Sequence, residues 1–404
     1  MLPVVHSRCS HAGGQDERVR APSSSVRHSV RPSVPVAGAL AGVLGGAGGA
    51  AAAAIGWHYS TILLHPSPHP GLPERVVAAG DGTVELARTR LSAQPGVWGL
   101  RGPAGLAVVG PVLDRGRRTV VRELRAGPVP AIGPAVLDAG PFDPDPSARG
   151  LPFDEVEVPT DLGPAPAWRI PAPDGGDPDV WALCVHGRGG TRREALRILP
   201  ALHAAGLTQL VVSYRGDGTA PESPDGRSHL GDTEWRDVDA AAAYALVHGA
   251  RRLVLVGWSM GAAVGGAFLD RSPHADLVDA VVWDAPLLDW RRTLRRQARN
   301  RGLPPTLAGV AARFTARRIG IDLDRFDLVR RPPAIRPPTL VLHSDADTAV
   351  PVSLSRDLSA TAPEHGWPVT YREFSGTEHT GSWNADPDGY EAAVTGFLRT
   401  LRPS

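Results

Sequence analysis

The chain has 404 residues, 42% of them hydrophobic and 21% charged, with a formal net charge of +1; this suits one large packed domain with an appendage. The near-zero charge excludes nucleic-acid binding through overall basicity, and two cysteines, Cys9 and Cys184, are too few for a disulfide framework or a structural zinc site. All 43 basic residues are Arg, which also excludes a phosphate-binding P-loop with its Gly-Lys-Ser/Thr step.

Residues 1–33 read as a basic, disordered leader rich in Ser, His and Pro. Val34 to Trp57 carries no charge, and as a helix it is long enough to cross a ~30 Å hydrocarbon core. Gly38, Gly42, Gly45 and Gly49 give it spacings suited to close helix packing. The expectation for 34–57 is a single transmembrane signal anchor; the alternatives are a cleaved signal peptide and an Ala/Gly linker. Arg8, Arg18, Arg20, Arg27 and Arg31 precede the run. Positive-inside logic then places the protein in the cell membrane as a single-pass protein, its bulk outside the cytoplasm; a secreted or cytoplasmic location is the alternative.

Short alternating stretches follow at Thr83 to Ala87, Val97 to Leu100, Leu106 to Val112 and Thr119 to Leu124, broken by Gly and Pro. They predict a small β-rich region over 75–146, closed by the turn cluster Pro141 to Pro146. From 151 to 404 the rhythm is strand, loop, helix. Strands are predicted at Trp181 to Val185, Gln209 to Tyr214, Leu253 to Val256, Ala280 to Trp283, Thr339 to Leu342 and Val369 to Phe374. Helices are predicted at Arg193 to Ala205, Thr233 to Val247, Ala262 to Asp270 and Gly389 to Leu401. Such alternation means an α/β fold, a mainly parallel sheet with helices on both faces.

Gly257-Trp258-Ser259-Met260-Gly261 has the form of a nucleophile elbow, and its setting fits: an apolar strand before it and a small-residue helix after it. Serine is a poor nucleophile unless a histidine base and an orienting acid stand beside it. The strand at 339–342 runs into an acidic loop with two candidates, Asp345 and Asp347, and the last strand runs into a loop holding His379. Loops at the carboxyl ends of parallel strands are where such groups collect. Val185 to Gly190 is a glycine-rich loop after the first parallel strand. No His/Cys/Asp cluster has metal-ligand spacing.

The segments His343 to Pro351, Gly376 to Trp383 and His186-Gly187, together with the elbow, resemble the motifs of the α/β-hydrolase superfamily in their proper order. The resemblance covers roughly Asp179 to Leu401 and implies an α/β-hydrolase fold. By it, Ser259 is the nucleophile, His379 the base and Asp347, rather than Asp345, the acid, with Asp284 a reserve candidate because a minority of relatives carry the acid after the strand that follows the elbow. The backbone N–H groups of Arg188 and Met260 form the oxyanion hole, with His186, Gly187, Gly257 and Gly261 supporting the motifs and His343 supporting the acid loop. Phrases such as GWSMGAA are similar to membrane-anchored, uncharacterised hydrolases of high-GC actinobacteria. A helical cap is expected at about 287–336, where 13 Arg face four acidic residues. There Trp290, Leu294 and Ala298 share one helix face and the arginines lie elsewhere.

The expected function is therefore a serine hydrolase, carboxylesterase-like, that needs no cofactor and no metal. Its partner is a small-molecule or lipid-like acyl substrate, and it touches a membrane through the amino-terminal helix and, in the sharper reading, the Arg-rich cap. Alternatives are an exopeptidase or thioesterase with the same triad, or a non-catalytic, membrane-tethered binding module.

Overall fold

The computed structural model describes residues 36–66, 72–139 and 144–400, without the side chains of 36–48 and Leu72. The leader expected over 1–33 and the start of the turn cluster at 141–143 lie outside the described residues. From Gly49 onward the described residues belong to one compact unit.

Helix α1 covers Val36–Leu64, so it runs past the expected end at Trp57. Among the described residues no helix is long and apolar enough to cross a membrane. The last turns of α1 are packed in protein: a Cβ at Gly56 would stand 2.6 Å from Val310 Cγ1. Ser60 and Leu64 are fully buried, and Ser228 N donates to Leu64 O at 2.8 Å. The structure thus lends no support to the membrane span expected over 34–57. Gly56, near the end of that run, admits a neighbouring helix of the same fold.

Six antiparallel strands then close into a barrel in the order β1-β2-β5-β4-β3-β6: β1 Leu72–Gly80, β2 Thr83–Ala87, β3 Trp98–Gly102, β4 Gly105–Arg115, β5 Thr119–Ala126 and β6 Gly133–Asp138. The alternation read from the sequence is the inside-outside alternation of a barrel wall; in β2 only Val84 and Leu86 are buried. Sequence reasoning missed β1 and β6, which complete the closure. β6 begins inside the Pro- and Gly-rich stretch GPVPAIGP, which reads as loop.

The larger sheet has the order β14-β13-β12-β11-β9-β10-β8-β7, built from β7 Asp154–Thr160, β8 Gly163–Ile170, β9 Asp177–Val185, β10 Leu207–Val212, β11 Arg252–Trp258, β12 Val278–Asp284, β13 Thr339–Ser344 and β14 Val369–Phe374. Pairing from β10 through β14 is parallel, whereas β8 is antiparallel to both β10 and β7. The central strands are buried along their length, as parallel strands covered on both faces must be. Their apolar runs made them legible, while β8 escaped because Pro164 and Pro166 argue against a strand.

The helices are α2 Leu199–Ala204, α3 Trp235–Val247, α4 Met260–Arg271, α5 Trp290–Asn300, α6 Pro305–Ile319, α7 Ser353–Thr361, α8 Ser382–Ala385 and α9 Pro387–Thr400. Two apolar clusters contain side chains from different helices: Val238 and Phe268 belong to one, Leu199 and Val394 to the other. The segment near 287–336, where a cap is expected, holds the helix pair α5 and α6. Asp289 caps α5 by accepting from Arg291 N and Arg292 N. Part of its arginine charge is compensated locally, Arg291 by Asp324 and Arg292 by Asp357 at 2.6 Å, while Arg295 and Arg299 are exposed.

Candidate active site

Ser259 sits between the end of β11 and the start of α4 with φ 52° and ψ −114°, a conformation costly for a residue with a side chain. Two glycines make the turn possible. A Cβ at Gly257 would lie 2.9 Å from Gly261 C, and one at Gly261 would lie 2.2 Å from Val185 O. The elbow's backbone is fixed as well, since Ser259 N donates to Asp284 O and Leu287 N to Ser259 O, both at 3.0 Å.

The loops after β13 and β14 bring the other two residues to this serine. His379 Nε2 lies 2.8 Å from Ser259 Oγ, and His379 Nδ1 lies 2.6 Å from Asp347 Oδ2. An ionised carboxylate can only accept, so Nδ1 carries the proton and the Nε2 lone pair faces the serine hydroxyl. Asp347 is buried. Its Oδ1 accepts from Ala349 N at 2.7 Å and Val350 N at 2.9 Å, and its Oδ2 also accepts from His343 Nε2 at 3.0 Å. Burial alone would raise the Asp347 pKa, but the charge of His379 and the hydrogen bonds from both histidines hold it below the usual carboxylate range. For His379 burial works against the charged form, and the charge and hydrogen bond of Asp347 outweigh it, so its pKa moves upward.

The other predicted residues take separate places. Asp345 Oδ1 accepts from Gly376 N at 2.8 Å and so ties the two loops together without reaching His379. Asp284 accepts from Tyr390 Oη at 3.1 Å; burial pushes its carboxyl up to about 6. His186 stacks on Tyr214 and bonds Gly187 O at 2.8 Å and Asp217 Oδ2 at 3.3 Å, away from the serine. His343, beneath the acid loop, bonds Ser355 Oγ at 2.7 Å. Gly187 is where the two loops meet, since a Cβ there would lie 3.1 Å from Ser259 Cβ.

Of the two expected oxyanion amides, Met260 N is at the first position of α4, where no intrahelical acceptor exists and the helix dipole is positive. Neither it nor Arg188 N donates to an acceptor among the described residues. The adjacent Gly187 N donates to Glu194 Oε2 at 2.7 Å, which helps to set the loop.

A cavity of about 270 Å³ opens onto Ser259 and His379. One wall is the cap, with Leu294, Ala298, Leu307 and Ala311; another is α1, with Tyr59, Ile62 and Leu63. The shared face of Trp290, Leu294 and Ala298 therefore turns toward the site. That α1 belongs to this wall was not legible, because nothing local in its sequence says where its end docks. Equally invisible was Glu378, whose Oε2 accepts from Thr348 N at 3.2 Å and Thr348 Oγ1 at 2.6 Å and so bridges the acid and histidine loops. Among the described residues no group of three or more His, Cys, Asp or Glu is placed to hold a metal ion.

Comparison with known proteins agrees with this architecture. Residues 75–137 match a domain of unknown function, DUF8805, and residues 182–393 match the alpha/beta hydrolase family. The uncharacterized protein Rv2307c of Mycobacterium tuberculosis strain H37Rv, and its counterpart MT2364 in strain CDC 1551, are each 28% identical over 229 residues. The match spans 52% of this chain and 66% of theirs, a little under two thirds of those relatives. Among solved structures, two crystal forms of the Pyrococcus furiosus esterase Pf2001 superpose with TM-scores of 0.50 and 0.51 at 19% and 20% identity. They cover 64% of this chain and 96% and 94% of the esterase; at that identity the likeness speaks for the fold. With its eight-stranded sheet, serine elbow and a match over more than half its length, the chain belongs to the alpha/beta hydrolase family.

Proposed function

We propose that the protein is a serine hydrolase that cleaves a carboxylic ester with an apolar acyl group through an acyl-enzyme on Ser259. The observation that carries this reading is the continuous chain from Ser259 Oγ through His379 to Asp347, with the serine held at positive φ. Ser259 Oγ attacks the carbonyl carbon while its proton passes to His379 Nε2. The tetrahedral oxyanion is met by the Arg188 and Met260 amides. Collapse expels the alcohol, whose oxygen takes the proton from Nε2. Water then attacks the acyl-enzyme with the same histidine as base, releasing the carboxylic acid and restoring the serine hydroxyl. Asp347 stays ionised and stabilises the imidazolium formed in each half.

The apolar walls of the cavity fit an acyl chain. No acidic side chain lines it among the described residues, so an aminopeptidase substrate would find no carboxylate for its ammonium group. The esterase of similar fold is consistent with ester chemistry; a thioester presents the same carbonyl and remains the second reading. A fluorophosphonate probe and a panel of esters, thioesters and aminoacyl amides test both. Labelling and ester turnover that vanish in Ser259→Ala are expected, and activity that survives this substitution overturns the mechanism.

A further inference from the structure

The barrel, whose residues match a domain of unknown function, has a chemical relation to the proposed catalytic centre. Its β2–β3 connection, 88–97, lies against the loop that holds His379. Gln94 is buried, and its Oε1 accepts from Glu378 N at 2.6 Å. Gln94 Nε2 donates to Leu91 O at 3.1 Å, which orients the amide with its oxygen toward the histidine loop. Three residues later Val97 N donates to Asn384 O, and Asn384 Nδ2 donates back to Val97 O, both at 2.8 Å. Gly96 has φ +82°, and a Cβ there would lie 1.7 Å from Asn384 O, so only glycine permits this approach. Arg90 also pairs with Glu378.

The barrel commits a buried charge to holding this connection still. Arg122 on β5 is fully buried and donates to Ser92 O, Gln94 O and Gly96 O at 2.6 to 2.9 Å, and to Gly110 O at 2.9 Å. Burying a guanidinium with carbonyls alone is costly. Its planar fork, however, fixes three carbonyls of one loop and Gly110 O at once from donors in a rigid geometry. From the hydrolase side Arg197, also buried, donates to Thr380 O at 2.5 Å and Asn384 Oδ1 at 3.3 Å. Between these two supports Thr380 keeps φ +54°, a strained value directly after His379.

We infer that the barrel is a built-in positioning module for the histidine loop: Gln94, held by Arg122, is a positioning residue that sets His379 between Ser259 and Asp347. This rests on the proposed triad. The Gln94 bond goes to the amide immediately before His379, and a misplacement of about 1 Å at a reacting group costs roughly 100-fold in rate.

The test uses the full chain. Gln94→Met keeps the side-chain length but removes the acceptor, and Gly96→Ala drives the connection off Asn384. Both are compared with wild type and Ser259→Ala for kcat, KM, the pH profile of kcat/KM and thermal unfolding. Folded Gln94→Met is expected to lose about 10- to 100-fold in kcat with KM little changed. Its acidic limb should shift toward lower pH as the His379–Asp347 pair loosens. A folded Gln94→Met with wild-type kcat and limb overturns the inference even where Ser259→Ala is inactive; activity in Ser259→Ala removes the triad reading itself. Should Gly96→Ala fail to fold, Gln94→Met alone decides.

Discussion

His343 and His379 share one acceptor, Asp347 Oδ2, at 3.0 and 2.6 Å. The carboxylate is thus fixed from below by a buried histidine while it orients the one that faces Ser259. Asp347→Asn leaves the shape but removes the negative charge and can present an N–H to His379, favouring the wrong tautomer. A loss on the order of 10⁴ in kcat is expected, measured with a short-chain ester, with binding nearly unchanged. A residual rate within tenfold of wild type would mean that another group supplies the acid.

The pH dependence follows from the directions of the two shifts. In the proposed mechanism His379 must be neutral to accept the serine proton, and its pKa is raised, so kcat/KM should rise with pH along a limb above the ordinary imidazole value. Linkage gives opposite stability windows. The raised His379 contributes stability below its unfolded pKa that is lost as pH rises through the folded value. The depressed Asp347 contributes stability above its unfolded pKa that is lost as pH falls through the folded value. In Asp347→Asn the activity limb should move to lower pH; an unmoved limb would show that it belongs to another group.

Asp284 runs the other way. Buried, with Oδ1 lacking a partner among the described residues and its carboxyl pushed up to about 6, it binds more protons in the folded state than in the unfolded one between its two pKa values. Stability therefore falls as pH rises through that window and stays reduced above it. Asp284→Asn should stabilise the protein at pH 7 by up to about 2 kcal/mol and flatten that part of the profile. Urea unfolding at pH 5 and pH 8 checks both; a destabilised variant at pH 8 contradicts the sign.

The elbow depends on absent side-chain atoms. Gly261→Ala places a methyl 2.2 Å from Val185 O and 3.0 Å from His186 O, backbone atoms that cannot rotate away. A loss of ~1–3 kcal/mol is expected from overpacking, together with a sharp fall in fluorophosphonate labelling as Ser259 shifts. Unchanged labelling in a soluble Gly261→Ala would argue against so tight an approach of helix to strand.

Because α1 walls the cavity, chain-length preference should answer to a residue distant in sequence. Ile62 is 45% exposed, so a larger side chain can be accommodated without unfolding. Ile62→Trp should lower kcat/KM for long acyl esters relative to butyryl esters by roughly tenfold, the scale of one or two methylene contacts. An identical acyl-length profile in wild type and variant would remove α1 from the wall.

Sequence alone determined the parts of this protein whose signals are local. The buried runs of β9 to β13 read as strands because both faces are covered. Gly-x-Ser-x-Gly marked the turn at Ser259 because a strand-to-helix turn of that tightness tolerates nothing larger, and the order of the elements placed Ser259, Asp347 and His379 after β11, β13 and β14. What only the tertiary structure decided was which distant segments meet. Gln94 reaches Glu378 across 284 positions, the last turns of α1 pack against α6, and β1, β6, β7 and β8 are strands through their pairing. Hydrophobic periodicity reports whether a residue is buried. Which partner buries it is set by packing between segments far apart in the chain, and for that a single sequence carries no local signal.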